Sequence, residues 1–209
     1  MMRANMVSFL VKSALLSHHS IYKVQAKHTW PMAETVSHIS EHSSYQQFLD
    51  DFQQTIQDAS LRLLEIPDED AARRATSEWS AKQVLGHLID SAANNHQRFV
   101  RAQFTDDLVF ATYDGDQWVD AQKYNDAFWT DLVDLWRAYN LHLVRIVSLI
   151  PENVLTQERD KHNFDQIAFR TLERTNPTTL EYLIRDYLVH LKYHLDQIWS
   201  NTWPIPTKN

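Results

Sequence analysis

Four stretches of this sequence repeat apolar residues at helical spacing, and no credible set of strands accompanies them. The first stretch ends before Pro67 and carries apolar residues three or four positions apart, namely Phe48, Phe52, Ile56, Ala59 and Leu63. Such spacing puts side chains on one face of an α-helix. Only two glycines occur in 209 residues, so few positions suit the tight turns of a sheet protein. The sequence therefore predicts an all-α protein.

The second stretch begins with strong helix-start signals. Ser80 and Gln83 have the spacing of a capping box, in which each side chain bonds the other residue's backbone N–H. Trp79 and Val84 flank it where a hydrophobic staple forms. The third helix is predicted from about Asn125 to Pro151, with an inner face made of Phe128, Leu132, Leu135, Tyr139, Leu143, Ile146 and Ile150.

The fourth helix is predicted to open with a second capping box, Thr178 with Glu181, and to end near Pro204. Four amphipathic helices of about 20 residues indicate a four-helix bundle. The connections 103–124 and 151–176 are longer than a bundle requires, which is typical of pocket rims. A short β-hairpin within 155–172 is a further expectation.

The first 40 residues differ from the rest and contain a single acidic residue, Glu34. We interpret residues 1–40 as a poorly ordered N-terminal extension rather than a secretory or transit signal, because their apolar stretch is interrupted by Lys12. The bundle would then span 41–203, followed by a tail at 204–209. No segment reaches the ~20 apolar residues of a membrane span, so we expect a cytoplasmic protein without membrane contact.

Charge and cysteine content limit the chemistry. Acidic residues outnumber basic ones by 27 to 20, for a net charge of −7, and no run of Lys or Arg occurs. Nucleic acid is therefore not an expected partner. The chain has no cysteine, which excludes disulfides, thiolate metal sites and a cysteine nucleophile. Any metal must be held by nitrogen and oxygen ligands.

Histidines have ligand spacing on the fourth helix. His190 and His194 lie one turn apart on its inner side, so both imidazoles can face one metal ion. A pair at this spacing also arises by chance, as hydrogen-bonded core residues. His87 on the second helix would supply a third ligand from a facing helix. Three histidines leave coordination positions open, which is typical of a catalytic Zn²⁺ or Ni²⁺ rather than a closed structural site.

Polar residues follow His87 along the same side of its helix: Ser91, Asn94 and Arg98. We predict that they contact the substrate, although a partly exposed seam between helices would look alike. Gly86 is costly inside a helix unless something approaches it closely.

Other polar residues are weaker candidates. Asp90, Asp186 and Gln197 are close enough in sequence to orient the imidazoles, although a plain surface role is the commoner explanation for each. His162 is an outside candidate for an acid/base group or an extra ligand. His96 and His142 have no partner at ligand spacing and are expected on the surface or at a seam.

The runs from Trp79 to Leu88 and from Tyr187 to Ile198 resemble the second and closing helices of the DinB-like (YfiT-like) metal-dependent family. The Asp116-Gln117-Trp118 run and the start of the fourth helix are also similar, and the match covers roughly residues 45–203. The resemblance implies an up-down-down-up bundle, a metal-binding triad of His87, His190 and His194, and a homodimer.

The resemblance also implies chemistry on a small molecule. Relatives include thiol-dependent S-transferases that use bacillithiol or mycothiol, and a mycothiol-dependent isomerase. Our leading hypothesis is a metal-dependent transferase or hydrolase in which metal-bound water or a thiol cofactor attacks an electrophile, with Trp118 and Tyr187 at the pocket. The alternatives are a stress-related protein that binds metal or ligand without turnover, and a metal-free structural bundle.

Overall fold

The structure is a computed structural model that describes residues 45–74 and 79–200. The expected extension at 1–40, the tail at 204–209 and the predicted helix end near Pro204 lie outside these residues. The described helices are α1 (Tyr45–Leu63), α2 (Asp68–Ala71), α3 (Ala81–Arg101), α4 (Gly115–Gln122), α5 (Trp129–Ser148), α6 (Glu152–Leu155), α7 (Phe164–Ile167) and α8 (Leu180–Ser200), with a 3₁₀ turn at Tyr124–Asp126. None of them is long and apolar enough to cross a membrane.

Two pairs of helices run antiparallel. Trp129 at the start of α5 donates to the carbonyl of Leu63 at the end of α1, and Tyr45 at the start of α1 donates to Val147 near the end of α5. The imidazole of His87, early in α3, likewise lies against that of His194, late in α8.

The other two adjacent pairs run parallel. Asp51 of α1 pairs with Lys192 of α8, and further along both helices Arg62 stacks on Trp199. Lys82 at the start of α3 donates to the carbonyl of Ala127 just before α5, while nearer their ends His96 lies beside His142. Together these directions give the up-down-down-up order, so the predicted all-α four-helix bundle is confirmed.

The start of α3 is built as the sequence predicts. The Ser80 side chain accepts from the N–H of Gln83, and the Gln83 side chain accepts from the N–H of Ser80. The Ser80 hydroxyl also donates to Asn125, which ties this cap to the turn before α5. A cap of this kind contributes about 1 kcal/mol and fixes where the first turn of α3 begins.

The start and inner face of α5 differ from the prediction. Asn125 lies in the 3₁₀ turn, and α5 begins at Trp129. Phe128 is 72% exposed and Leu135 is 50% exposed, so placing them on the inner face was wrong. Trp129 and Trp136 are buried instead. Burying a large aromatic side chain contributes about 1.5–3 kcal/mol, so the two tryptophans decide which face turns inward.

The cap of α8 lies one residue beyond the predicted one. Thr179, not Thr178, accepts from the N–H of Tyr182. Thr178 is instead occupied by two backbone hydrogen bonds with Arg159. The predicted hairpin within 155–172 is wrong as well: residues 45–74 and 79–200 contain two isolated β-bridges, Arg159 with Thr178 and Leu108 with His162, and no strand.

Because Gly86 has no side chain, another residue can approach α3 closely at this point, as the presence of a glycine inside a helix suggested. The ring of Tyr124 lies flat against α3 there, and a Cβ added to Gly86 would come within 2.0 Å of it. The Tyr124 hydroxyl then donates to Asp90, one turn further along α3, at 2.7 Å. This contact holds the end of the 103–124 connection against α3 beside His87.

Candidate metal centre

Three histidine side chains converge between α3 and α8. His87 comes from α3, and His190 and His194 come from successive turns of α8. One ring nitrogen of each lies within 4.8 Å of the others, and these three form the one cluster of three or more metal-ligating side chains among the described residues. The ring centroids are 4.6–5.2 Å apart.

The separations suit a small divalent ion. The Nε2 atoms of His87 and His190 are 3.2 Å apart. Ligand nitrogens at ~2.0–2.1 Å from a tetrahedral Zn²⁺ lie about 3.3 Å from one another. All three nitrogens lie within 4.8 Å of one another, so the imidazoles would rotate inward to bind one ion. An all-imidazole donor set suits Zn²⁺ or Ni²⁺.

The imidazoles are held in the neutral form that binds metal. Burial lowers the pKa of His87 to about 4, and the neighbouring His194 adds to the shift. Burial also lowers the pKa of His190 well below its ordinary value, with further contributions from the other two histidines and Arg98. Burial lowers the pKa of His194 as well, while a hydrogen bond with Gln197 opposes the shift. At neutral pH each ring therefore keeps a lone pair for a ligand.

In two of the three histidines, the Nδ1 atom lies against a polar side chain outside the cluster. Gln197 accepts from Nδ1 of His194 at 2.9 Å, which places the proton on Nδ1 and leaves Nε2 free for a metal. Ser91 lies 3.4 Å from Nδ1 of His190. Nδ1 of His87 is buried without a hydrogen-bond partner among the described residues, beside Gly115 at the start of α4. Gln197 thus orients an imidazole.

The two carboxylates that were named as candidate partners of the imidazoles bond elsewhere. Asp90 accepts from Tyr124 and Gln122, and Asp186 accepts from the backbone N–H groups of Phe169 and Arg170. Burial raises the pKa of both carboxyl groups, and these hydrogen bonds oppose the shift. Each aspartate anchors a connecting segment beside the histidines instead of orienting a ring.

A chain of polar side chains continues from His190 along α3. Asn95 donates to the Ser91 hydroxyl at 3.3 Å, and Arg98 donates to Asn95 at 3.3 Å and to the carbonyl of Ala111 at 3.2 Å. Burial raises the pKa of Tyr113, while Arg98 and a hydrogen bond with Ser91 oppose the shift. Tyr113 therefore belongs to the same polar group. Of the predicted substrate contacts, Ser91 and Arg98 lie here.

Aromatic side chains also contact the three histidines. Ring contacts of 5.1–5.4 Å link the triad to Trp79, Phe169 and Tyr193. Phe169 and Tyr193 are 40% and 51% exposed. None of the three is predicted from the sequence as a site residue. Phe169 lies in a loop without periodicity, whereas Tyr193, next to His194, could have been found by its position.

The remaining predicted site residues lie further from the triad. Asn94 donates to the backbone of Asp90. Trp118 on α4 is half-exposed and packs on Tyr113.

Tyr187 was expected at the pocket but lies in the core, with its hydroxyl donating to Asn140. Its ring packs against Phe52 and Phe99, so burial of the aromatic surface determines its place. His162 is buried too. It accepts from the N–H of Phe164 through Nδ1 and donates through Nε2 to the carbonyl of Asn176, so neither nitrogen is free for acid/base chemistry or a metal.

The fold and the triad together define a four-helix bundle with a three-histidine centre. The structure is similar to that of YfiT from Bacillus subtilis, with a TM-score of 0.60 at 16% sequence identity over 78% of this chain and 90% of that one. The description of that structure names an unusual four-helix bundle topology. No protein-family model and no curated protein matches the chain. The resemblance seen in the sequence is thus confirmed for the fold.

Proposed function

We propose that the chain is a metal-dependent enzyme that acts on a small electrophilic molecule, with hydrolysis as its leading reaction. The observation that carries the proposal is the convergence of His87, His190 and His194, each partly buried and in its neutral form. Three neutral imidazoles with open coordination positions are the donor set of a catalytic divalent ion. YfiT, whose fold is similar, is described as a probable metal-dependent hydrolase, which supports the proposal.

Each part of the site has a role in this proposal. A bound divalent ion would lower the pKa of a coordinated water or thiol and polarise the substrate. Gln197 and Ser91 hold His194 and His190 in the required orientations. Polar contacts to substrate come from Ser91, Asn94 and Arg98, with Trp118 on the neighbouring helix.

Thiol transfer is the second reaction that the same residues support. The chain contains no cysteine, so a thiol nucleophile has to come from a low-molecular-weight cofactor. The proposal includes that cofactor as an alternative to water, and a homodimer as the assembly.

The test is turnover measured alongside metal content. Untagged full-length protein, loaded with Zn²⁺ or Ni²⁺, is assayed against a panel of activated esters, and against alkylating electrophiles with an added thiol. The His190→Ala/His194→Ala double variant is the comparison. We expect turnover in proportion to metal content, and its loss in a variant that still shows the helical circular dichroism of the wild type.

Two results would contradict the proposal. Full metal occupancy without turnover on any substrate would favour a protein that binds metal without catalysis. Absence of metal even after Zn²⁺ or Ni²⁺ is added would favour a structural bundle in which the histidines are ordinary core residues.

A further inference from the structure

Arg98 is a buried cation whose hydrogen bonds go to neutral groups. Its side chain lies in the last turn of α3 and is only 6% exposed. The guanidinium donates to the amide oxygen of Asn95 and to the carbonyl of Ala111, and it forms no ion pair with a carboxylate among the described residues. Burial lowers the pKa of Arg98, as expected for a charge removed from water.

A guanidinium in this position is an unusual choice for stability alone. Removing a charge from water is unfavourable by several kcal/mol unless an opposite charge compensates it. Two neutral carbonyl oxygens compensate only in part, and they occupy two of the five N–H donors of the group. An anion with two oxygens would satisfy further donors in the fork geometry that guanidinium groups prefer.

Arg98 is linked to the metal centre by hydrogen bonds. Its amide partner Asn95 donates to Ser91, and Ser91 lies against Nδ1 of His190. A ligand that reaches both the triad and Arg98 would therefore extend along the polar side of α3. Tyr113 lies beside the same chain through its interaction with Ser91.

No carboxylate among the described residues forms a hydrogen bond or ion pair with the triad or with Arg98. All three metal-ligating groups are neutral imidazoles. The buried carboxylates on the same two helices, Asp90 and Asp186, already accept hydrogen bonds from Tyr124 and from the loop N–H groups. A divalent ion together with Arg98 would leave the centre positively charged, which favours an anionic ligand.

The aromatic side of the centre favours an apolar part on the same ligand. Trp79, Phe169 and Tyr193 contact the histidine rings at centroid distances of 5.1–5.4 Å. Half-exposed aromatic rings around polar groups are typical of small-molecule sites.

We infer that the substrate is an organic anion, an aromatic or apolar body carrying a carboxylate, and that Arg98 receives the carboxylate. This inference deepens the proposed function and rests on it. A metal held by the triad would activate the electrophilic group of the substrate, while Arg98 positions the molecule along α3 by binding its carboxylate.

The experiment uses three probes that share one aromatic body and differ in charge: phenylacetate, phenylacetamide and 2-phenylethylamine. Each is titrated calorimetrically into the zinc-loaded full chain and into the metal-free chain. We expect phenylacetate to bind about tenfold or more tightly than phenylacetamide, with the amine weakest, because hydrogen bonds between charged groups are about twice as strong as neutral ones.

Variants separate Arg98 from the metal as the source of this preference. Arg98→Gln should weaken phenylacetate binding about tenfold in both zinc-loaded and metal-free protein and leave phenylacetamide unchanged, while Arg98→Lys keeps part of the preference. Arg101→Gln is the matched control, because Arg101 is an exposed arginine in the same last turn. Melting temperature and zinc content are measured on every variant.

Equal binding of phenylacetate and phenylacetamide by the wild type would overturn the inference without any variant. The same holds if Arg98→Gln or Arg98→Lys folds and binds phenylacetate as the wild type does. Zinc bound at full occupancy with no anion preference would remove the inference and leave the metal centre intact. A chain that binds no zinc would contradict the proposed function, and the metal-free titrations would still decide the role of Arg98.

Discussion

Two groups of histidines lie on opposite sides of α3, and they differ in what their nitrogens face. His87 meets His190 and His194 of α8, whereas His96, nine residues later, meets His142 of α5. Nine residues are two and a half turns, so the two positions point in opposite directions. The ring-to-ring distances are similar, 4.6–5.2 Å in the first group and 5.1 Å in the second.

The difference between the groups shows that proximity of rings does not make a metal centre. In the first group three ring nitrogens converge and outer partners orient two of the rings. In the second group His96 faces the Tyr139 hydroxyl at 3.4 Å, and His142 is exposed. The second group has too few converging nitrogens to replace the hydration shell of an ion.

The largest expected effect comes from replacing one histidine on each side of α3. His87→Ala should lower the affinity for Zn²⁺ by more than the ~10- to 100-fold that loss of an outer partner costs, because it removes a ligand. His96→Ala should leave the affinity unchanged. Competition titration with a chromogenic chelator measures both. Equal losses in the two variants would show that the histidine groups do not differ as described.

A smaller effect is expected from replacing Gly86, the residue before His87. Gly86→Ala should reduce the free energy of unfolding by about 1–3 kcal/mol, because its Cβ would meet the Tyr124 ring at 2.0 Å and force it away. Urea unfolding measures this change.

Gly115→Ala is the control for that variant. Its Cβ would lie 3.3 Å from the His87 imidazole, which has to move by only a few tenths of an ångström. We expect little change in unfolding free energy at Gly115. A Gly86→Ala variant as stable as the wild type would contradict the packing of Tyr124 against α3.

The smallest expected effect is a change in the titration of His96. Burial lowers the pKa of His96, and the neighbouring His142 lowers it further. Above the ordinary histidine pKa both folded and unfolded chains hold a neutral His96. As the pH falls below it, the unfolded chain binds the proton first, so the folded state is progressively destabilised. The destabilisation stops increasing once the pH is below the lowered pKa of the folded state, and it persists at lower pH.

His142→Gln should therefore raise the pKa of His96 and reduce this acid destabilisation. NMR titration of the His96 ring protons measures the shift, and the exposed Arg145→Gln serves as a control on the same helix. An unchanged pKa in His142→Gln would mean that the two rings do not interact electrostatically.

Local signals in the sequence were sufficient for the fold and the triad. The capping box at Ser80 and Gln83, the i, i+4 spacing of His190 and His194, and the position of His87 at the edge of an apolar face are all properties of single helices. The convergence of the histidines follows once α3 and α8 are neighbours. Local reasoning therefore predicted the centre of the site.

The surroundings of the triad depend on contacts between segments far apart in sequence. Phe169 reaches His190 only because Asp186 binds the loop backbone, and neither residue carries a pattern that signals this. The inward rotation of Trp129 and Trp136 results from competition between apolar faces of one helix. Such choices are decided by total packing rather than by periodicity.

The attachment of the 168–170 loop through Asp186 has a consequence for how the site can change. Asp186 accepts from the backbone N–H groups of Phe169 and Arg170, and every residue except proline supplies such a group. The side chain at position 169 can therefore be exchanged while the loop stays attached. This position gives natural or laboratory evolution a place to alter the surroundings of the histidines at little expense in stability.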